Sequence, residues 1–496
     1  VFVNLRTFYT IAFLSGAALP LAFAPFNIWI IAILSPAVLL WIWQSYFVWQ
    51  REAFWAGFFY GLGMFGVGVS WVFISIHRYG NTEIPLAVGL TSLLVIGLSL
   101  FIAIQGYVLK KLFRGSSTAF LLCGFPSCWV LFEWVRGWLF TGFPWLYLGY
   151  SQLTTPLGGY APILSVYGVS LAVALSSGIL IALIFGTQKT RITAATTLVL
   201  LWGIGFLLHL QQYTTASPRP YTASLIQSNV KPSDKYTQPE PLSSVEKLYG
   251  GLTESAWGSD IILWPEGAIP VPLPVSKPYI DNLQIIAGIY HSTLISGIIS
   301  VDEAGHYFNS LVTIGNGSGT YHKQHLLPFG DYVPFQTWLR GFIDFFDLPM
   351  SSFNSGPEEQ SLLHAGDLLL DPLICYEIAF PTLVRTTLRD ANAIITLSED
   401  GWFGESLGPH QHLQIAQMRA LETGRYVLRA TTSGLTAIID DKGRVTTMAP
   451  PFQATALKGS FQSMTGETPW VTIGLWPLLI LLWAAFIGPR YFSRTA

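Results

Sequence analysis

Trp264-Pro265-Glu266-Gly267, Tyr321-His322-Lys323-Gln324-His325-Leu326 and Ile374-Cys375-Tyr376-Glu377 are three short stretches spaced along one polar block of the chain. Glu266 and Cys375 each stand at the carboxyl end of a run that reads as a β-strand, 260–265 and 367–375, and Lys323 closely follows another at 308–315. Further strands are expected at 222–229, 293–300, 393–398, 427–433 and 435–440, with helical patterns at 243–257, 279–291 and 411–424 between several of them. Such alternation predicts an α/β domain, and the carboxyl edge of its strands is where ligand sites gather. About 250 residues are ample for one core.

A carboxylate, an ammonium and a thiol brought to one edge form the parts of an acyl-transfer site. A thiol needs a base within hydrogen-bond reach, and Glu266 is the candidate. The tetrahedral intermediate places negative charge on the former carbonyl oxygen; Lys323 and the backbone amide of Tyr376 are the candidate stabilisers. Cys375 is the candidate nucleophile. Taken singly, a cysteine after a strand reads as core and a Glu after Trp-Pro as a turn residue, so their combination carries the reading.

Outward from this block, apolar runs near 8–26, 28–43, 53–75, 85–109, 119–135, 160–186, 192–209 and 470–488 approach or reach the length of a bilayer span. Arg6, an apolar run and Ala22-Phe23-Ala24 resemble a secretory signal, but Pro25 and the next run from Ile28 fit a helical hairpin better. One set of loops carries Arg6, Arg51, Lys110, Lys111, Arg114, Lys189, Arg191, Arg490 and Arg494, the other only Arg78 and Arg136. The positive-inside rule therefore predicts cytoplasmic termini and an extracytoplasmic catalytic block, periplasmic in a bacterium. The expected organisation is a transmembrane domain of seven helices over 1–211, a catalytic domain over 212–466, and a last helix with a cytoplasmic tail over 467–496.

Composition agrees with a membrane protein: 51% of the 496 residues are hydrophobic and 11% charged, and the mean hydropathy is +0.47. A net charge of -2 without basic runs leaves no footprint for nucleic acid. Cys123 and Cys128 lie in an apolar stretch and read as small hydrophobes. His410 and His412 lack the companions of a metal site and read as loop or helix-start residues. No motif for a nucleotide, flavin or metal is present, so no cofactor is expected.

In their order and context the three motifs, with Phe380-Pro381 beyond the cysteine, resemble the nitrilase superfamily of Glu-Lys-Cys amidases and acyltransferases. Gly142-Phe143-Pro144-Trp145, His325-Leu326-Leu327-Pro328-Phe329-Gly330, Gly401-Trp402-Phe403-Gly404, Gly408-Pro409-His410-Gln411-His412 and Arg419-Ala420-Leu421-Glu422 narrow it to the apolipoprotein N-acyltransferase family. That resemblance implies an αββα nitrilase-like domain on eight transmembrane helices in the bacterial inner membrane. It implies a Cys375 thioester loaded from a phospholipid, mainly phosphatidylethanolamine, and discharged to the N-terminal amine of a diacylglyceryl-cysteine lipoprotein. Glu266 becomes the base, Lys323 the oxyanion cation and Cys375 the nucleophile, with Tyr376 and Glu377 shaping the site. Asp331 falls where the family usually carries a second essential Glu, and its shorter side chain is expected to require a small backbone shift or a water to reach Lys323. Ser398-Glu399-Asp400 departs from the more usual Ser-Asn-Asp, and Tyr236 stands where a Trp is expected.

Phe335, Trp338, Leu339, Phe342, Phe345 and Phe346 recur at helical spacing. They read either as a core-facing helix or as an amphipathic lid guiding acyl chains toward Cys375. Glu133 and Arg136, one turn apart in an apolar run, either pair with each other or leave Arg136, with Trp138 and Trp145, to hold a lipid headgroup. Trp145, Trp338, Phe342, Trp402 and Arg136 are accordingly the candidate substrate-binding residues. Two rival readings keep the same features: a membrane-tethered amidase or nitrilase that delivers the acyl group to water, and a transporter with an inactive appended domain.

Overall fold

A computed structural model describes residues 5–45, 49–80, 82–113, 118–235, 240–334, 352–388 and 390–492. The chain forms two compact units, one of Val1–Phe73, Ile84–Gln212 and Thr472–Ala496, the other of Ile74–Glu83 and Tyr213–Val471. The division differs from the sequence-based one chiefly at 74–83, which joins the second unit. There Ser75 Oγ donates to the Trp402 carbonyl at 2.8 Å, and the Tyr79 ring meets Trp402 edge-on at 6.0 Å.

The first unit is helical, with helices Leu5–Ala18, Ile31–Ser45, Gln50–Gly68, Ile84–Leu112, Phe125–Arg136, Ala161–Phe185, Gln188–His209 and Trp476–Phe492 falling on the expected apolar runs. By length and composition, Leu5–Ala22, Ile84–Leu112, Pro156–Phe185 and Gln188–His209 suffice to cross a membrane. A fifth does so if Gln50–Gly68 and Trp71–Tyr79, bent by 51°, count together, while Ile31–Ser45 and Trp476–Gly488 are shorter. In an apolar surrounding helices are held by close backbone packing. A Cβ at Gly16 would stand 2.0 Å from the Tyr60 carbonyl oxygen, and one at Gly63 only 2.1 Å from that of Phe13.

The second unit is built on β1 (Thr215–Gln227), β2 (Ile261–Pro272), β3 (Thr293–Val301), β4 (Tyr307–Gly315), β5 (Gly317–Ser318) and β6 (Thr320–His322). It continues with β7 (Leu363–Ala365), β8 (Leu368–Ile374), β9 (Ala393–Ser398), β10 (Val427–Thr431), β11 (Ala437–Ile439), β12 (Val445–Met448) and β13 (Thr455–Thr465). Two sheets result, in the orders β13-β1-β2-β3-β4-β6 and β12-β11-β10-β9-β8-β7-β5. Strands β1, β2 and β3 are parallel, as are β8, β9 and β10, and the outer strands pair antiparallel. Between the sheets, Leu225, Leu263 and Ile295 pack with Leu370, Ile395, Leu397 and Leu428. On the outer face of the first sheet, Ile262, Trp264 and Leu294 pack with Val245, Tyr249 and Leu283 of the covering helices. Helices Pro381–Leu388 and Leu407–Thr423 contact the second sheet at β8 and β10. The αββα layering expected of this block is therefore present.

Two expectations about the strands change. β2 does not stop before Glu266 but runs on to Pro272, and its register with β3 shifts between Trp264 and Ile269. Gly267, at φ 55°, lies in this bulge. Gly297 of β3 lets it approach, since a Cβ there would meet the Gly267 nitrogen at 2.4 Å. The second change is five unforeseen strands, β5, β6, β7, β12 and β13, the last pairing with β1 although about half the chain separates them.

Candidate active site

The bulge in β2 turns Glu266 out of the regular pleat. Lys323 leaves β6 with its N–H on the Asn309 carbonyl of β4 at 2.8 Å. Cys375 directly follows β8 in left-handed backbone, φ 52°, and opens the short 3-10 turn Cys375–Ala379. Such a conformation costs a non-glycine residue energy and is typical of positions held for chemistry. The three residues are thus brought together, but Lys323 not by the strand read at 308–315: β4 runs antiparallel to β3, and the short return strand β6 carries the lysine back.

Lys323 Nζ lies 2.7 Å from Asp331 Oδ2 and 3.4 Å from Glu266 Oε1. Asn309 Nδ2 donates to Glu266 Oε1 at 2.8 Å, and the Glu399 N–H donates to Oε2 at 2.9 Å. All four side chains of the Glu266–Lys323–Asp331–Asn309 cluster are buried. Burial works against the Lys323 ammonium, but Asp331 and Glu266 outweigh it and raise its pKa, so the cation is secure. Burial foremost, then Glu266, pushes the Cys375 thiol well above its usual range, with Lys323 pulling the other way. At rest the Cys375 side chain is therefore a thiol.

Asp331 reaches Lys323 directly, so no water is needed to bridge the shortened acid to the ammonium. Its N–H donates to the Leu327 carbonyl at 2.9 Å while the Leu327 N–H donates to its Oδ2 at 2.7 Å. That tight turn folds the carboxylate back beneath the ammonium.

Glu377 lies behind the nucleophile and gathers donors: Tyr321 Oη, Gln324 N and His325 N on Oε1, and Ile374 N on Oε2. It fastens the Lys323 loop to the Cys375 turn. Burial pushes its carboxyl up to about 7 against the pull of those amides. The buried Tyr376 ring stands edge-on to Phe380 at 5.0 Å.

Several residues near the site were not anticipated. Lys235 Nζ donates to the Glu266 carbonyl at 2.8 Å and to Glu399 Oε2 at 2.7 Å. His412, read from sequence as a loop or helix-start residue, lies on the helix Leu407–Thr423 with Nε2 3.2 Å from the Cys375 carbonyl oxygen and Nδ1 3.0 Å from Asp400 Oδ1. Arg429 pairs with Asp400 in turn. Burial pushes Asp400 up, but Arg429 and His412 outweigh it and hold the carboxyl below its ordinary range. Asn309, a polar residue inside an apolar strand pattern, was the one legible signal among these.

Of the substrate-binding candidates, Trp402 is half-buried in the turn Asp400–Phe403, against Tyr79. Trp145 is buried in the first unit, 5.4 Å from the Trp71 ring. Arg136 is buried as well, donating to the carbonyls of Phe143 and Trp145 with its guanidinium over the Phe65 and Tyr147 rings. Its charge therefore holds the Gly142–Trp145 segment. Trp338 and Phe342, with the rest of the aromatic run, lie outside the described residues.

Residues 15–179 match the family model for the apolipoprotein N-acyltransferase N-terminal domain, and 222–469 match that for carbon-nitrogen hydrolase. An apolipoprotein N-acyltransferase of Azotobacter vinelandii is 41% identical over 488 residues, 96% of this chain and 94% of the relative. That of Coxiella burnetii is 40% identical, covering 95% of this chain and 97% of the relative. Among solved structures, Saccharomyces cerevisiae Nit3, a member of branch 10 of the nitrilase superfamily, aligns with 50% of this chain and 93% of its own at 16% identity and a TM-score of 0.38. With both family models matched in order and relatives of one name aligned end to end, the chain belongs to the apolipoprotein N-acyltransferase family.

Proposed function

We propose that the chain transfers an acyl group from a membrane phospholipid to the N-terminal amine of a diacylglyceryl-cysteine lipoprotein through a thioester on Cys375. The observation that carries the reading is the buried Lys323 ammonium, fixed by Asp331 and Glu266 beside the thiol. In the first half-reaction Glu266 takes the thiol proton as sulfur attacks the ester carbonyl. The oxyanion forms against Lys323 and the Tyr376 amide, and Glu266 returns the proton to the departing glycerol oxygen, releasing a lysophospholipid. In the second, the acceptor amine attacks the thioester and Glu266 takes its proton; the intermediate collapses to the amide as the carbon–sulfur bond breaks, and Glu266 returns the proton to the departing sulfur. Interactions tighter on the oxyanion than on the ground state supply the rate.

The donor proposed is phosphatidylethanolamine. The eight apolar helices are read as eight crossings of the bacterial inner membrane, with 1–211 as the transmembrane domain, 212–466 periplasmic, and 467–496 returning the chain to the cytoplasm. The nine-to-two loop asymmetry in Lys and Arg supports this orientation. The competing reading, a tethered carbon-nitrogen hydrolase, uses the same residues and differs in delivering the acyl group to water.

Incubation with phosphatidylethanolamine followed by intact mass measurement decides between them. An acyl adduct that hydroxylamine removes, that Cys375→Ala abolishes, and that persists until a diacylated lipopeptide arrives supports the transferase. Release of free acid or ammonia from simple amides without such an adduct selects the hydrolase.

A further inference from the structure

Lys235 and Glu399 close a ring around the base. Lys235, at the end of the short helix Pro232–Lys235, donates from Nζ to the Glu266 backbone carbonyl at 2.8 Å and to Glu399 Oε2 at 2.7 Å. Glu399, the residue after β9, returns to the same glutamate by donating its own N–H to Glu266 Oε2 at 2.9 Å. Both ends of Glu266, carbonyl and carboxylate, are therefore tied to one ion pair. Lys235 and Glu399 are buried, so the pair is little screened by solvent.

We propose that Lys235 and Glu399 form a positioning clamp on Glu266, which aims its carboxylate and keeps the local charge balanced so that the Cys375 proton can leave. The proposal rests on Glu266 being the base of the reaction set out above. The clamp contributes one cation and one anion to a neighbourhood that also holds Lys323 and Asp331 on the loop after β6, Cys375 and Glu377 after β8, Asp400 after β9, His412 on the helix Leu407–Thr423 and Arg429 on β10. Tyr249 faces the pair from the covering helical segment. Burial pushes the Glu399 carboxyl up, and Lys235 opposes it.

Charge balance makes a prediction that structural support alone does not: the two halves of the clamp act with opposite sign. Loss of the cation leaves an unmatched anion near the sulfur and disfavours the thiolate. Loss of the anion leaves an unmatched cation and favours it.

The test is the rate of Cys375 alkylation by iodoacetamide in the full chain in detergent. It is followed at fixed pH between roughly 7 and 10, below the raised range of Cys375, where the rate tracks the thiolate fraction. Peptide mass separates Cys375 from Cys123 and Cys128. Lys235→Met is expected to slow alkylation about tenfold and Glu399→Gln to speed it by a similar factor. The double variant is expected to return it toward the parent. Shifts in the same direction, or none, overturn the clamp, and so does a double variant that fails to return. If Lys235→Met does not fold, Glu399→Gln alone still reads the sign. Alkylation uses neither lipid nor lipopeptide, so a failure of the acyl-transfer reading leaves this result interpretable.

Discussion

Each unit buries an acid and a base among apolar side chains, and each satisfies them differently. In the first, Glu133 Oε1 accepts from the indole N–H of Trp129 at 3.1 Å and the backbone N–H of Leu148 at 2.9 Å. Arg136 donates to the Phe143 and Trp145 carbonyls. Neither depends on the other for these bonds. In the second unit, Glu266, Lys323, Asp331, Glu399 and Lys235 are set largely against one another. Ionisable groups tied to backbone are anchors, because the peptide cannot change its charge. Groups tied to one another are interdependent, so adding or removing one proton is felt by all. The first arrangement suits a scaffold and the second a reaction that moves a proton twice per turnover.

The contrast is broken most severely by neutralising the cation. Lys323→Met is expected to lower acyl-adduct formation on the order of a hundredfold or more, because the oxyanion loses its charged partner. Stopped single-turnover mass measurement reads it, and Glu266→Gln is expected to fall comparably. A milder loss would show that the ammonium is structural.

Arg136→Met sharpens the other side. Two buried carbonyls lose their donor, which is expected to cost about 1–3 kcal/mol of stability. Adduct formation by the folded fraction should stay within several-fold of the parent. Thermal unfolding in detergent beside single-turnover rates checks this, and a hundredfold rate loss with unchanged stability would return Arg136 to the substrate.

Glu377 sits between the two cases, tied to backbone yet titratable. Its carboxyl in the folded chain is pushed above the usual value to about 7, so its protonated form favours the fold. The associated stability is fully present below the ordinary carboxyl range and is lost as pH rises through about 7. In a Cys375→Ala background the melting temperature should therefore fall across that window, and Glu377→Gln should flatten that part of the profile.

The smallest effect is expected at Lys277 and Asp281, an exposed pair one turn apart at 3.0 Å. Lys277→Ala should change stability by no more than about 0.5 kcal/mol and leave activity untouched, as a urea titration would show.

How much of this was legible followed the range of the interactions. Glu266 and Cys375 could be placed because each sits in or follows a strong apolar strand run, and parallel strands deliver their carboxyl ends to one edge; Lys323 escapes that rule, because β4 is antiparallel and the short β6 that returns the lysine was unforeseen. β13 was invisible: Thr455–Thr465 mixes Lys458, Gly459 and Gln462 with apolar residues, and only pairing with β1 makes it a strand. Helix Pro381–Leu388 was missed for a like reason, being short with Thr382, Thr386 and Thr387. Lys235 sits in a Pro-Ser-Asp-Lys segment that reads as an exposed turn, and nothing local signals a partner 164 positions away. His412 was misread because its meaning lies in Asp400, Arg429 and the Cys375 carbonyl, which come from three other elements.

The left-handed backbone at Cys375 bears on how this position would change over generations. For any side chain but glycine, such a conformation costs roughly 1–2 kcal/mol. Selection for folding alone would thus favour glycine at 375. In a lineage released from the need to acylate, drift at this codon runs downhill in stability terms. Glycine at the matching position of an otherwise intact homologue would mark a chain that has kept its fold and lost its reaction.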